Sequence, residues 1–491
     1  MKKITTILCT ILCAICAISA QNQPTGVFMN LYAKDMAQPN AISENGKWAV
    51  GSAFWSGNEG TAGTINASKW NLETGERIYL VNDEDPSDAF CINNEGTVVG
   101  GSYLGQPAYW LESDGLWHTF SEYPRGYKDE NGNIIATGDV MSMAFVDGDT
   151  IMIGYAFKSQ TEGQIIRWVN GKLDRNFKYR KHNRYSEHLD TTINAEMEKI
   201  RAMSTDGKSY LISLDYNLLP VAGSYNMPTT YIMNEDTTII LERQFGQYDE
   251  VSFIEDAAMS HNGKFVCGRI HGVPMDGIDA VESAVAFTYD VENDIFDYCT
   301  TIESTGRYAG ASCIDNQGHT YYKSINGNDP LGKPYIYKDK KFIELEACLL
   351  AYEGITAEQI DAMITDEVEG TDEDDLGIVW AVSGDGKTLI GAGGALKGNI
   401  WCAKLSCSPY DVDPVVAVEN VTYDNLAAYY ANGAITIKGN AEMIEVYSIT
   451  GAKVMSQIVE NSTIKADLNN GIYVVKVYNG NNVATSKVIV K

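Results

Sequence analysis

One glycine returns seven times along this chain in the same local setting, and that recurrence limits the fold more than any other feature. Aligned on it without gaps, the segments read AISENGKWAVG from Ala41, CINNEGTVVGG from Cys91, MAFVDGDTIMI from Met143 and AMSTDGKSYLI from Ala202. AMSHNGKFVCG from Ala258, CIDNQGHTYYK from Cys313 and AVSGDGKTLIG from Ala381 complete the set. The anchors Gly46, Gly96, Gly148, Gly207, Gly263, Gly318 and Gly386 lie 50, 52, 59, 56, 55 and 68 residues apart. In each copy a short, largely apolar run meets a β-rich run through a turn. Asn-Gly or Asp-Gly occupies five of these turns and suits the positive φ of a tight hairpin.

A second hairpin follows in the first six copies. Its first strand carries an aromatic residue: Trp70, Trp110, Trp168, Tyr231, Tyr289 or Tyr337. Its second reads RIYL, LWHTF, KLDRNF, TIIL, IFDYC or KFIEL. Four antiparallel strands per unit at this period predict an all-β chain whose main domain, residues 21–408, is a seven-bladed β-propeller. The seventh copy has NIWCAKL around Trp401 and then no fourth strand before SPYDVDP. The missing strand is expected from Val27–Tyr32, which would close the ring and remove its free edges.

The repeat resembles the HAF-type extracellular repeat, whose core is A-x-[SN]-x-[DN]-G-x-x-[IV]-x-G. LLAYEGIT followed by IVWAVSGDGKTLIGAG is similar to the last repeat of such propellers, where a short helix precedes a well-formed Asp-Gly turn. The third and sixth copies depart from the pattern, with Phe145 and Asp315 at the Ser position. The resemblance supports an architecture far more than an activity.

Residues 1–20 place Lys2 and Lys3 before an apolar run that ends on small residues, which reads as a secretory signal peptide. Its removal takes the formal charge from −28 to −30. Leu12 and Ile15 before Cys13 and Cys16 argue against a lipoprotein. No later segment reaches the roughly 18 apolar residues of a membrane span.

After a linker at 409–414, residues 415–491 change character: ITIKG, EMIEVYSITGAKVMS, STIKADLNNGIYVVKVYNG and VATSKVIVK read as an antiparallel meander in a small Ig-like β-sandwich. This module resembles the C-terminal sorting domain of Bacteroidetes type IX secretion, through Gly451, the Leu468–Val477 run with Gly471, Tyr473 and Lys476, and the end from Lys487 to Lys491. The resemblance implies type IX secretion machinery as a partner, and a protein secreted or attached at the outer-membrane surface.

The acidity of the chain disfavours nucleic acid and anionic lipid as partners. A monomer without cofactor is expected. Seven cysteines remain after signal removal and show no zinc spacing; Cys402 and Cys407 are near enough to invite a disulfide, but buried free thiols are the plainer expectation. Cys91 and Cys313 stand in a column otherwise held mostly by alanine, so they are expected to be free and inert. Ser204-x-Asp-Gly and Ser383-x-Asp-Gly invite comparison with a sialidase Asp-box, but one residue is missing and the turn reading is preferred. The acidic run 366–375 lacks the oxygen spacing of a calcium loop, and the six histidines form no metal pattern.

Long connections follow the second or fourth strand of the copies, which places them on one rim. Trp55, Tyr127, Arg180, Lys181, Arg184 and Tyr225 lie there as candidate ligand-binding residues. The reading preferred from sequence is a non-catalytic module for an extracellular glycan, peptide or protein ligand. The alternative is a polysaccharide hydrolase or lyase with carboxylates drawn from different blades.

Overall fold

The computed structural model describes residues 24–31, 37–55, 64–80, 85–120, 138–157, 163–179, 184–186, 191–193, 197–215, 229–234, 237–241, 253–271, 284–299, 308–325, 334–364, 376–393, 399–412, 427–431, 433–438, 441–448, 453–459, 461–466, 468–469, 471–479 and 482–490. It divides into two compact units, Met1–Pro414 and Val415–Lys491.

In the first unit every copy of the repeat opens a set of four antiparallel strands. The leading strands are Ala37–Ile42, Ser87–Ile92, Gly138–Val146, Met197–Met203, Phe253–Met259, Tyr308–Ile314 and Ile378–Val382. The fifth and sixth sets merge into one sheet through a single parallel pair, Ala284 with Tyr308. Each leading strand lies beside those of the preceding and following sets, and the last lies beside the first. The seventh set draws its outer strand from the N-terminus, as the missing strand led one to expect: Gly26–Asn30 pairs antiparallel with Leu405–Trp401. Phe28 is buried and stacks on Trp401 at 5.7 Å. Helices Leu345–Leu349 and Ala357–Ile364 share the same apolar cluster, and Gly26 N donates to Glu353 O at 2.9 Å.

The turns differ from the expected tight hairpin. In four copies the serine, not the Asn or Asp, organises a wider loop. Trp48, Ser209, Phe265 and Thr388 donate their N–H groups to the hydroxyls of Ser43, Ser204, Ser260 and Ser383 at 2.9–3.1 Å. Those hydroxyls donate in turn to Asn45, Asp206, Asn262 and Asp385 at 2.5–2.8 Å. Only the glycine takes positive φ there. The Ser204 and Ser383 motifs are therefore turn caps. In the second and sixth copies Asn93 and Asp315 replace the serine and accept from Val98 N and His319 N, both at 2.9 Å. The third copy alone makes the tight turn, with Asp147 at φ 54° and Gly148 at φ 90°.

All seven cysteines of the described residues are free thiols, Cys402 and Cys407 included, so the disulfide invited by their spacing is not made. Burial pushes the Cys91 thiol up to about 12 and Cys313 well above its ordinary value. Residues 409–412, expected as linker, instead pack on the first unit: Pro409–Asp411 forms a 3-10 turn, and Pro409 and Val412 are buried.

The second unit holds two sheets over one core that includes Ile435, Ile437, Ile444, Val446, Val475 and Val477. It is not the simple meander expected from sequence. Thr463–Lys465, where only Ile464 is buried, crosses over to pair with Ala434–Lys438. Lys453–Ile458 is left as an edge strand beside Met443–Ser448.

Candidate axial site

Every leading strand breaks register with its neighbour at one place. The slips fall between Pro39 and Ala41, Ala89 and Cys91, Val140 and Ser142, Ile200 and Ala202, Glu255 and Ala258, Ala311 and Cys313, and Val379 and Ala381. A β-bulge bends its strand and re-aims the extra side chain. The extra residues include Asn40, Phe90, Met141, Arg201, Ala257, Ser312 and Trp380, and all seven line one cavity of about 440 Å³. Sets far apart in sequence are thus brought together around a single space by one repeated irregularity. Sequence reading missed this column because its seven residues are chemically unlike; the signal was positional, six residues before the turn glycine in all copies but the third.

The turns surround the same cavity at one end. Asn45 N donates to Asn94 Oδ1 (3.0 Å), Thr205 N to His261 O (2.8 Å) and Asn262 N to Asn316 Oδ1 (2.8 Å). Asn316 N donates to Gly384 O (3.0 Å), and Gly384 N to Glu44 O (2.8 Å). These bonds lace copy to copy through all but the third, whose tight turn leaves Phe145 46% exposed. Burial lowers the His261 pKa below its ordinary value, so its imidazole is neutral at pH 7; its Nε2 lies 3.3 Å from Val382 O.

Among the described residues the lining carries one carboxylate, Glu44, and one permanent cation, Arg201. Glu44 Oε1 accepts from Asn316 Nδ2 at 3.3 Å. Arg201 is exposed to the cavity and has no hydrogen bond or ion pair among the described residues. The buried indole Nε1 of Trp380 likewise has no acceptor.

Two arrangements nearby look catalytic and are not. Asp315 Oδ2 and Ser408 Oγ approach His319 at 2.8 and 3.3 Å, but both meet Nδ1, whereas a serine triad uses opposite ring nitrogens. All three residues are buried, at most 2% exposed, and Tyr410 stacks on the imidazole. They tie the sixth turn to the segment after the seventh set. The second is Asp88 with Asp139. Ser52 Oγ donates to Asp88 at 2.5 Å, and Ser102 and Tyr155 donate to Asp139. Each serine follows a glycine on the second strand of one set and reaches the leading strand of the next, so the pair works as inter-sheet latches outside the cavity lining.

Burial, assisted by the charge of Asp88, raises the Asp139 pKa above its ordinary value. Its contribution to stability is full below the unfolded carboxylate pKa and is lost as pH rises through the folded one. Asp139→Asn keeps both hydroxyl partners and should raise the urea midpoint at pH 7, with the gain closing near pH 3. A lower midpoint at pH 7 would contradict this account.

The candidate residues chosen from sequence are not assembled by the described structure. Tyr127, Arg180, Lys181 and Tyr225 lie outside the described residues, as does the acidic run 366–375. Trp55 and Arg184 sit on strands, not in loops: Trp55 pairs with Thr64, and Arg184 with Ile193 in a separate two-stranded hairpin. In the second unit Lys476 Nζ lies 5.5 Å from the Tyr447 ring, and Tyr473 OH donates to Asn469 O at 3.0 Å. Gly471 opens the long strand Gly471–Asn479, whereas Gly451 and Lys491 are outside the described residues and Lys487 is described only as a strand position.

A family model described as the secretion system C-terminal sorting domain matches residues 431–491. The chain therefore carries a sorting domain of the kind handled by type IX secretion machinery, which makes it exported cargo, released or held at the cell surface. No curated protein matches it significantly. Among solved structures it is similar to an oligogalacturonate lyase from Vibrio parahaemolyticus at 11% identity, covering 77% of this chain and 93% of the lyase, TM-score 0.43. It is also similar to PorZ of Porphyromonas gingivalis, titled an essential surface component of type IX secretion, at 12% identity over 92% of this chain and 60% of PorZ, TM-score 0.41. The third is the β-propeller domain of the Trilobed protease from Pyrococcus furiosus, at 10% identity over 79% and 99%, TM-score 0.39. The chain spans less than two thirds of several structures it matches, 63% and 46% of two others. Among the described residues no helix is long and apolar enough to cross a membrane.

Proposed function

We propose that this chain is an exported, non-catalytic binding module, a seven-bladed propeller of HAF-type repeats that a C-terminal sorting domain delivers to the cell surface or medium. One observation carries the reading: the leading strands of seven sheet sets converge on one cavity where, among the described residues, the lining holds a single carboxylate, itself hydrogen-bonded to Asn316. Glycosidic hydrolysis by paired carboxylates needs two across the scissile bond. A cavity of this size suits a small molecule or the end of a glycan or peptide. On this reading Trp55, Tyr127, Arg180, Lys181, Arg184 and Tyr225 extend the surface at the elaborated rim, where aromatic and Arg side chains make strong anchors.

The test is a glycan, peptide and protein-partner screen on the mature chain, run beside a hydrolase and lyase screen. Saturable one-to-one binding with unchanged ligand supports the proposal. Turnover of any polysaccharide, or no binding at all, overturns it.

A further inference from the structure

We propose that the axial cavity is a site for a small organic carboxylate whose anionic group pairs with Arg201; this deepens the binding-module reading and rests on it. The cavity presents the exposed Arg201 guanidinium, placed there by a strand bulge and without a hydrogen bond or ion pair among the described residues. Arg201 comes from the fourth set, whereas Trp380 and Asn40 come from the seventh and first, the positions farthest from it around the ring. Asn40 Nδ2 is committed to Ala89 O at 2.9 Å, which orients its amide at the rim of the space. The bulges also supply Phe90, Met141 and Ala257.

The matching ligand has an anionic head and an apolar body. Guanidinium pairs carboxylate or phosphate through two parallel hydrogen bonds, and in a chain of formal charge −28 a singly charged carboxylate meets less repulsion than a phosphate. Among the described residues the lining carboxylate is Glu44, which lies in the turn segment and accepts from Asn316, and Arg201 makes neither a hydrogen bond nor an ion pair.

The experiment titrates the mature chain by calorimetry with a panel of aromatic and sugar monocarboxylates, each beside its neutral primary amide. At least one acid should bind one per chain and its amide at least about tenfold more weakly, the scale of a charge-assisted bond. Arg201→Met should remove that preference, and Arg201→Lys should restore part of it. Ala257→Trp should abolish binding while leaving the melting temperature unchanged or raised. Equal affinity for acid and amide overturns the proposal, as does indifference to Ala257→Trp or an empty panel. If the mature chain instead binds a larger glycan or protein with Arg201→Met indifferent, this inference falls while the binding-module reading stands.

Discussion

A chain that begins at residue 31 is expected to lose cooperative folding of its first unit. The deletion removes the whole strand Gly26–Asn30, which pairs with Trp401–Leu405 and supplies the seventh sheet's outer edge. Each ladder bond is worth about 1 kcal/mol, and burial of a phenylalanine roughly 2–3 kcal/mol. Together these approach the about 5–15 kcal/mol of an ordinary domain. The exposed strand would carry the apolar Ile400, Trp401 and Ala403, an aggregation edge. Phe28→Ala separates packing from pairing and should cost about 3–4 kcal/mol by urea denaturation, because Phe28 is buried on Trp401 and leaves a cavity. A soluble deletion product with an unchanged unfolding midpoint would refute the closure.

The second large effect is expected at Lys69, a buried cation between the first and second sets. Its side chain is 1% exposed; Nζ donates to Gly96 O at 2.9 Å and to Glu112 at 3.0 Å. Trp48 and Trp110 hold it on two sides, with ring centroids at 4.9 and 4.7 Å. Lys69→Ala loses charge-assisted bonds of roughly 1.5–3 kcal/mol and the cation–π contacts, and empties the stem's volume. A loss of about 3–4 kcal/mol is expected from urea midpoints. Lys69→Met retains the stem and should recover about half. Lys264→Ala is the control, since its pairing with Glu292 is exposed on both sides at 54% and 65%, and surface pairs are worth about 0–1 kcal/mol. Equal effects at positions 69 and 264 would mean that the buried latch contributes nothing special.

What could be read from sequence followed from chemistry that leaves a fixed residue type. Positive φ demands glycine, so Gly46 and its six counterparts marked every turn and through them every sheet. Absence was legible as well: no strand after Leu405 and one spare strand before Ala37 gave the pairing of Gly26–Asn30. The turn geometry was misread because Asn-Gly and Asp-Gly serve both tight and wide loops; the hydroxyl of Ser43 or Ser383, two residues earlier, makes the choice. The third copy, with Phe145 at that position, has no such hydroxyl and keeps the tight form. The axial site stayed hidden for a different reason. A bulge is a property of pairing between two strands, and it sets where a side chain points without restricting its type, so Asn40, Phe90, Arg201 and Trp380 share a position and no motif. By the spacing of the repeat strands Trp55 and Arg184 fall in long connections, yet both belong to strands.

Closure of the ring by the N-terminus is the claim on which both the cavity and its contents depend, and a native thiol tests it. Met29 stands directly opposite Cys402. The bond from Leu31 N to Ile400 O makes their pairing a hydrogen-bonded one, with Cα atoms about 5.5 Å apart, within disulfide reach. The measurement is a non-reduced peptide map of Met29→Cys after mild oxidation, with Val27→Cys, 55% exposed and opposite Lys404, as the control. A disulfide joining position 29 to Cys402 in Met29→Cys, and none to Cys402 in the control, is the predicted result; a free thiol at position 29, or a bridge to any other cysteine, would contradict the ring.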